Sequence, residues 1–216
     1  PAWAINLMSA VFGALAAGIS AMLITRSGSD ILRDSRLAEH AVSRGMENVI
    51  CWVSGVTSSL LFAFSPVMWS QSVIVEVYSL NAFFLLLIFL LVYMWLRRPS
   101  DHVLFATAFV FGLGLTNYQV LLLAGAALAL AVMLKDLELF RDFAIAGAPY
   151  ILIILLIKFE FLAGIEHPLH WSCAVYMGLN FLVLTMVFFF LPRGKTVAPA
   201  IFLAQLGVAF YGYMPL

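Results

Sequence analysis

An all-α, polytopic transmembrane helix bundle of about eight spans is the fold class this sequence predicts, and three observations predict it. Of its 216 residues, 64% are hydrophobic and only 10% are charged. Soluble domains carry about a quarter charged residues, and a small globule has too much surface to hide so much apolar area. The apolar residues come in uniform Leu, Phe and Ala runs rather than in alternation. Helices, not barrel strands, therefore satisfy the backbone in lipid. Ten of the eleven Lys and Arg residues fall on alternate connections between these runs. The composition excludes a soluble enzyme and a disordered chain. No basic stripe marks a nucleic-acid binder, and the net charge of zero is silent about partners.

A bilayer core about 30 Å thick needs roughly 20 apolar residues per helix. Runs of that kind cover 4–25, 49–66, 77–96, 102–116, 118–134, 143–158, 171–191 and 197–213. One helix over 102–134 would be about 50 Å long. The polar knot Thr116-Asn117-Tyr118-Gln119 is therefore expected to reverse the chain. With Pro1 outside, the inside connections hold Arg26, Arg33, Arg36 and Arg44, then Arg97 and Arg98, then Lys135 and Arg141, then Arg193 and Lys195. Only Lys158 falls outside, so the positive-inside rule sets the orientation. Segment 26–48 mixes Ile31, Leu32, Leu37, Ala41 and Val42 with charges of both signs, which predicts a short amphipathic helix on the inner surface. In the first span Ser9, Gly13 and Ala17 repeat every four residues, as do Ala10, Ala14 and Gly18. Such stripes let helices approach closely in lipid. Cys51 and Cys173 lie apart in apolar runs without metal-ligand spacing and read as small buried hydrophobes. No basic residue precedes the first run, so it is no signal peptide. The whole of 1–216 reads as a single transmembrane domain, a piece of a longer protein.

Function in such a chain sits where polar groups interrupt the hydropathy, and these cases fall on the outer side. Pro66 ends or kinks the second span, and Trp69 suits an interface. Glu76 stands alone among Val, Ile and Tyr. If 69–83 is one helix, Trp69, Ser72, Glu76, Ser79 and Phe83 share a face. A carboxylate facing lipid costs a few kcal/mol. Glu76 is therefore expected to face a cleft lined by Tyr78, Asn81, Asn117 and Lys158, where it orients an acceptor, a metal or a cationic partner. The alternative is a structural carboxylate that caps a helix or pairs with Lys158. The knot, with Asn117 and Gln119, either satisfies free helix ends or contributes to binding. Lys158-Phe159-Glu160 and Glu166-His167-Pro168-Leu169-His170-Trp171 bound the third polar region. Two His three apart with a carboxylate lack a third fixed ligand, so no metal site is assigned there. Lys158 and His167 are instead assigned to phosphate or sugar.

Several of these motifs resemble one glycosyltransferase family. They are Asn6-Leu7-Met8-Ser9-Ala10 with Phe12-Gly13-Ala14, Phe64-Ser65-Pro66, Trp69-Ser70-Gln71, Glu76-Val77-Tyr78-Ser79-Leu80-Asn81, Gly112-Leu113-Gly114-Leu115-Thr116-Asn117 and Tyr211-Gly212-Tyr213-Met214-Pro215-Leu216. The family is the multispan GT-C-type group that includes the animal transmembrane O-mannosyltransferase of plexin and receptor IPT domains, with many bacterial relatives. The resemblance implies a GT-C-like membrane core in an integral membrane protein, in a bacterial inner membrane rather than the endoplasmic reticulum. It implies a polyprenyl-phosphate sugar as donor substrate, and a protein or glycan acceptor on the outer or lumenal face. It implies no certain cofactor and leaves a divalent metal open. In the family, a first-loop carboxylate acts upstream of the position matched by Ala4, and a soluble region follows the closing motif. Residues 1–216 alone are therefore expected to be inactive. Glu76 resembles a different family carboxylate, a candidate for orienting the acceptor. Two other functions compete. A non-catalytic membrane subunit would pack against a larger complex, with another membrane protein on the face of Ser9, Gly13 and Ala17. A transporter or flippase would need polar groups near mid-bilayer, whereas those noted here gather at one face.

The orientation is testable in a background lacking Cys51 and Cys173. Ser29→Cys and Ser100→Cys are expected to react with an impermeant maleimide only from the inside, and Glu166→Cys only from the outside. Reaction of Ser29→Cys from the outside overturns the assignment.

Overall fold

The computed structural model describes residues 2–34, 43–74, 78–158 and 169–212. Among these residues the fold is all-helical. The helices are α1 (Ala2–Asp34), α2 (Arg44–Ala63), α3 (Pro66–Val73), α4 (Tyr78–Arg97), α5 (Asp101–Asn117), α6 (Leu122–Lys135), α7 (Leu137–Lys158), α8 (Leu169–Phe190) and α9 (Gly194–Gly212). A 3-10 turn, Gln119–Leu121, joins α5 to α6. Apart from short α3, the helices run alternately up and down. Arg26, Arg97, Arg98, Lys135, Arg141, Arg193 and Lys195 consequently lie toward one end of the bundle.

Among the described residues, three segments are long and apolar enough to cross a membrane by length and composition: Asn6–Leu32, Gly45–Ala63 and Tyr78–Arg97. Leu122–Lys135, Met177–Phe190 and Gly194–Ala209 are apolar but shorter. The chain is thus an integral membrane protein, and among the described residues three segments, rather than the expected eight, meet the length and hydropathy of a span.

Local chemistry explains the breaks. Ser43 caps α2 through the Met46 amide at 3.3 Å. Ser65 caps α3 through the Met68 amide at 3.3 Å, with Pro66 in the first turn. There the missing proline N–H costs nothing. The Phe64 and Trp69 rings stack across that corner, 5.6 Å apart. Asp136 caps α7 through the Leu139 amide at 3.0 Å.

Three expectations from the sequence are corrected. Residues 26–34 do not open a separate amphipathic surface helix but continue α1. The reason is anchorage at that end. Asp30 pairs with the Arg97 guanidinium, and the Tyr93 hydroxyl donates toward the Arg26 carbonyl at 2.9 Å. Residues 69–83 are not one helix, because α3 ends at Val73 and α4 begins at Tyr78. Trp69 and Ser72 therefore stand on a different helix from Ser79 and Phe83. Finally, the face of Ser9, Gly13 and Ala17 is not open to another protein. Gly13 is buried against Ser72 and Met68 of α3, and Ser59 of α2 donates to the Ala17 carbonyl. The second stripe is the open one: Ala10, Ala14 and Gly18 are exposed, with nothing near a Cβ placed on Gly18.

The most extensive interface joins α5 and α9. A Cβ on Gly112 would run into the Ala204 carbonyl, and one on Gly207 into the Phe109 carbonyl. Backbone meets backbone there, the contact that small residues permit in lipid. Below it, Leu104, Val197 and Ala198 join Trp95, Leu139 and Val187 in one apolar cluster. A second cluster of Phe84, Ile88, Leu121 and Ala124 fixes α4 against the knot and α6.

At the basic end Asp142 is fully buried. It accepts from the Arg141 guanidinium at 2.9 and 3.0 Å and from the Arg193 amide at 2.9 Å. Arg193 also pairs with Asp136 at 3.0 Å, tying α7 to the α8–α9 turn.

Gly112→Val is expected to destabilise the protein by about 1–3 kcal/mol, the usual cost of overpacking. Gly18→Ala should stay neutral or gain up to about 1 kcal/mol from helix propensity. Thermal unfolding in lipid nanodiscs checks both. An unchanged Tm for Gly112→Val removes the close α5–α9 approach.

Candidate functional site

Hydroxyls in a membrane helix are commonly satisfied by their own backbone. Ser72 bonds the Met68 carbonyl at 2.8 Å, Thr107 that of Val103 at 2.8 Å, and Thr116 that of Leu113 at 2.6 Å. Such groups need no tertiary partner. The hydroxyls that reach between helices are the informative ones.

Several of these meet at the end of the bundle opposite the arginines, where α1, α3 and α4 join. Ser9 of α1 donates to the Ser79 hydroxyl of α4 at 3.1 Å. Ser79, fully buried, donates to the Gln71 carbonyl of α3 at 3.1 Å. Ser9 also lies 3.3 Å from that carbonyl. This relay fixes α3, only two turns long, against two longer helices. A cavity of about 460 Å³ lies beside it, lined by Phe62, Ser65, Val67, Met68, Gln71 and Tyr78.

Three buried side-chain oxygens, Asn6 Oδ1 of α1, Gln71 Oε1 of α3 and Asn81 Oδ1 of α4, have no hydrogen-bond partner among the described residues. An unsatisfied buried acceptor costs about 1–3 kcal/mol. All three belong to the helices that meet at this junction, α1, α3 and α4.

The sequence-predicted site residues fall as follows. Tyr78 opens α4, and its ring meets Tyr118 edge-on at 5.6 Å. Asn81 lies one turn further along α4. Asn117 ends α5 and Gln119 begins the 3-10 turn, so the knot reverses the chain as expected. The structure thus brings Tyr78 to the knot, with Asn81 on the same stretch of α4. Lys158 ends α7, which packs on α6, α8 and α9 rather than on this junction. Glu76 and His167 lie outside the described residues, as does their proposed geometry.

Sequence reading missed Asn6 and Gln71 as site residues, because each sits in a motif noted for other reasons. It also missed a second polar group deep in the bundle. Tyr150 of α7 donates to Asn180 Oδ1 of α8 at 2.6 Å. Asn180 and Gln205 of α9 exchange hydrogen bonds at 2.9 and 3.0 Å. Single amides in otherwise apolar runs were the available signal.

The described helices define the class as a helical integral membrane protein. The family comparison makes this specific. Residues 1–140 match the protein O-mannosyl-transferase TMEM260 N-terminal domain, and the chain belongs to that family. The match spans α1 to α6 and the start of α7, and therefore includes the whole α1–α3–α4 junction. No curated protein and no solved structure matches the chain.

Ser79→Ala removes the middle of the relay and leaves the Gln71 carbonyl with Ser9 alone. It is expected to cost about 1 kcal/mol, the net worth of one hydrogen bond, as read by thermal unfolding in nanodiscs. An unchanged Tm would mean that the relay does not hold α3.

Proposed function

We propose that this chain is the membrane core, with about eight passes, of a GT-C-type glycosyltransferase in a bacterial inner membrane, and that it takes a sugar from a polyprenyl phosphate. Transfer occurs at the end away from the arginines, which the positive-inside rule makes the outer face. The observation that carries this is the α1–α3–α4 junction, a polar and partly unsatisfied site within the family-matched region. A second feature supports a lipid-linked donor. An apolar cavity of about 350 Å³ opens between α5, α6, α7 and α9, with small residues such as Gly125, Ala144, Ala200 and Ala204 in its wall. Its one hydroxyl, on Thr107, is bonded to its own helix, so the wall suits an isoprenoid tail rather than a polar ligand.

In the proposed reaction an acceptor hydroxyl oxygen bonds to the anomeric carbon of the donor sugar. The bond from that carbon to the phosphate oxygen breaks. Polyprenyl phosphate leaves with the electron pair, and the hydroxyl proton passes to a base. Glu76, three residues before Ser79, is the proposed orienting carboxylate. Tyr78, Asn81, Asn117 and Gln119 are the proposed substrate contacts, and Lys158 and His167 are assigned to the phosphate side.

In the full-length protein, Glu76→Gln is expected to lower mannose transfer from polyprenyl-phosphate mannose by about 10- to 100-fold, the worth of one charge-assisted hydrogen bond that orients the acceptor. Its Tm should not change. Loss of Tm in proportion to activity would return Glu76 to a structural carboxylate.

A further inference from the structure

We propose that the apolar cavity between α5, α6, α7 and α9 selects a methyl-branched isoprenoid chain over a linear one, that the chain enters it sideways between α6 and α7, and that the end nearest the phosphate points to the knot. The inference rests on the proposed function for a lipid-linked donor. It adds how that lipid is recognised and which way it lies.

The cavity lies below the knot. α5 enters the knot and α6 leaves it, so both arms run from that polar tip toward the arginine end. Phe111 of α5 and Gly125 of α6 are the wall residues of those arms nearest the tip. Phe111 precedes Asn117 by six residues, about 9 Å of helix. Leu104, Val132 and Phe140 line the far end. No charged side chain lines the cavity, and its one hydroxyl is bonded to the Val103 carbonyl. A phosphate therefore lies beyond one end of it. At the arginine end Asp142 pairs with Arg141 and Asp136 with Arg193. The other end is the polar stretch Thr116-Asn117-Tyr118-Gln119.

The entry is lateral. Ala129 of α6 and Ala144 of α7 line the cavity and are exposed. The wall thus reaches the outer surface of the bundle through small side chains. Leu130, Leu134 and Ile145 nearby are exposed as well, so the mouth faces hydrocarbon. The remainder of a long polyprenyl chain passes out through it into the bilayer.

Shape selects the chain. Packed interiors leave few voids larger than a water molecule, and an apolar void stays dry. A cavity of about 350 Å³ with this wall suits an apolar chain. Gly125, Ala144 and Ala204 leave recesses between the bulkier Phe111, Leu128 and Phe143. A Cβ on Gly125 would lie 3.1 Å from the Phe111 ring, so glycine keeps that recess open. Methyl branches fill recesses beside a chain. A linear chain of the same length leaves them empty and forfeits the contacts.

Hexahydrofarnesyl phosphate and dodecyl phosphate supply the test, since they share headgroup and main-chain length and differ only in methyl branches. Full-length protein in nanodiscs is titrated with each, for the parent, Gly125→Leu, Ala129→Leu and the control Gly18→Leu. The parent should bind the branched lipid at least about ten-fold more tightly, the scale of one methyl group in a fitted apolar pocket. Gly125→Leu and Ala129→Leu should cut that preference to within about two-fold with Tm kept, and Gly18→Leu should retain it. A branched lipid with a diazirine beside its phosphate should label the parent within 108–111 or 121–125. Labelling within 132–141 overturns the direction and moves the phosphate to Lys135. The proposal is overturned if the parent shows no preference, if both filled variants keep it, or if preference and Tm fall together in both. Sugar transfer by a parent without the preference removes this inference and leaves the proposed function. The preference and the labelling without sugar transfer remove the proposed function and leave the isoprenoid site standing.

Discussion

Every polar group in this bundle must find its partner inside the protein, because the hydrocarbon around it offers none. That one constraint orders the structure. It makes the described chain helical, since a helix satisfies its own backbone. It turns Ser72, Thr107 and Thr116 back onto their own helices. Away from the charged end, among the described residues, it reserves bonds between helices for a few places: the Ser9–Ser79–Gln71 relay, the Ser59 contact to Ala17, and the Tyr150–Asn180–Gln205 group. Against that background a buried acceptor with no partner is conspicuous.

Packing in lipid obeys a second rule that follows from the first. With no hydrophobic drive between helices, close contact comes from small residues. Gly112 and Gly207 let α5 and α9 touch through their backbones. The consequence reaches beyond that pair. The family-matched region ends at residue 140, yet α9 lies far past it and seats directly on α5. The family-matched helices and the C-terminal helix therefore share one core, with Leu104 and Trp95 on one side of it and Val197 and Ala198 on the other.

Much of this was legible in the sequence, because hydropathy and helix length report the same physics. The expected run 77–96 became α4 at 78–97, and 102–116 became α5 at 101–117. The knot reversed the chain because Asn117 and Tyr118 stop the helix and a short 3-10 turn restarts it. Three things were not legible. The extension of α1 to Asp34 depends on Arg97 and Tyr93, more than sixty residues away in sequence. The break between Val73 and Tyr78 falls in a run of β-branched residues whose period suits either state. The partner of each small-residue stripe is a matter of tertiary choice. Ser9, Gly13 and Ala17 are taken by α2, α3 and α4, while the equally spaced Ala10, Ala14 and Gly18 remain exposed. Of the candidate site residues, Tyr78, Asn81 and Asn117 were named from polarity and from the resemblance, and the structure places Tyr78 against Tyr118 of the knot. Asn6 and Gln71 were hidden, since an unsatisfied acceptor is a property of the packing and not of the residue.

The two ends of the bundle do different work through one pair of helices. α1 and α4 run parallel and are tied at both extremities. Near the arginines the tie is ionic, Arg97 to Asp30 with Tyr93 beside them. At the other end it is neutral, Ser9 to Ser79. Ions are tolerated at the first end because the guanidinium is half exposed there. They would be costly at the second, where Ser79 is fully buried. A frame fixed by charge where water is near and by hydroxyls where it is not can hold α3 in place between its members. It leaves the neutral end with acceptors to spare. Burial of Ser79 makes a cation costly at the α1–α3–α4 junction, while the gathering of the arginines at the opposite end is the positive-inside distribution read in the sequence.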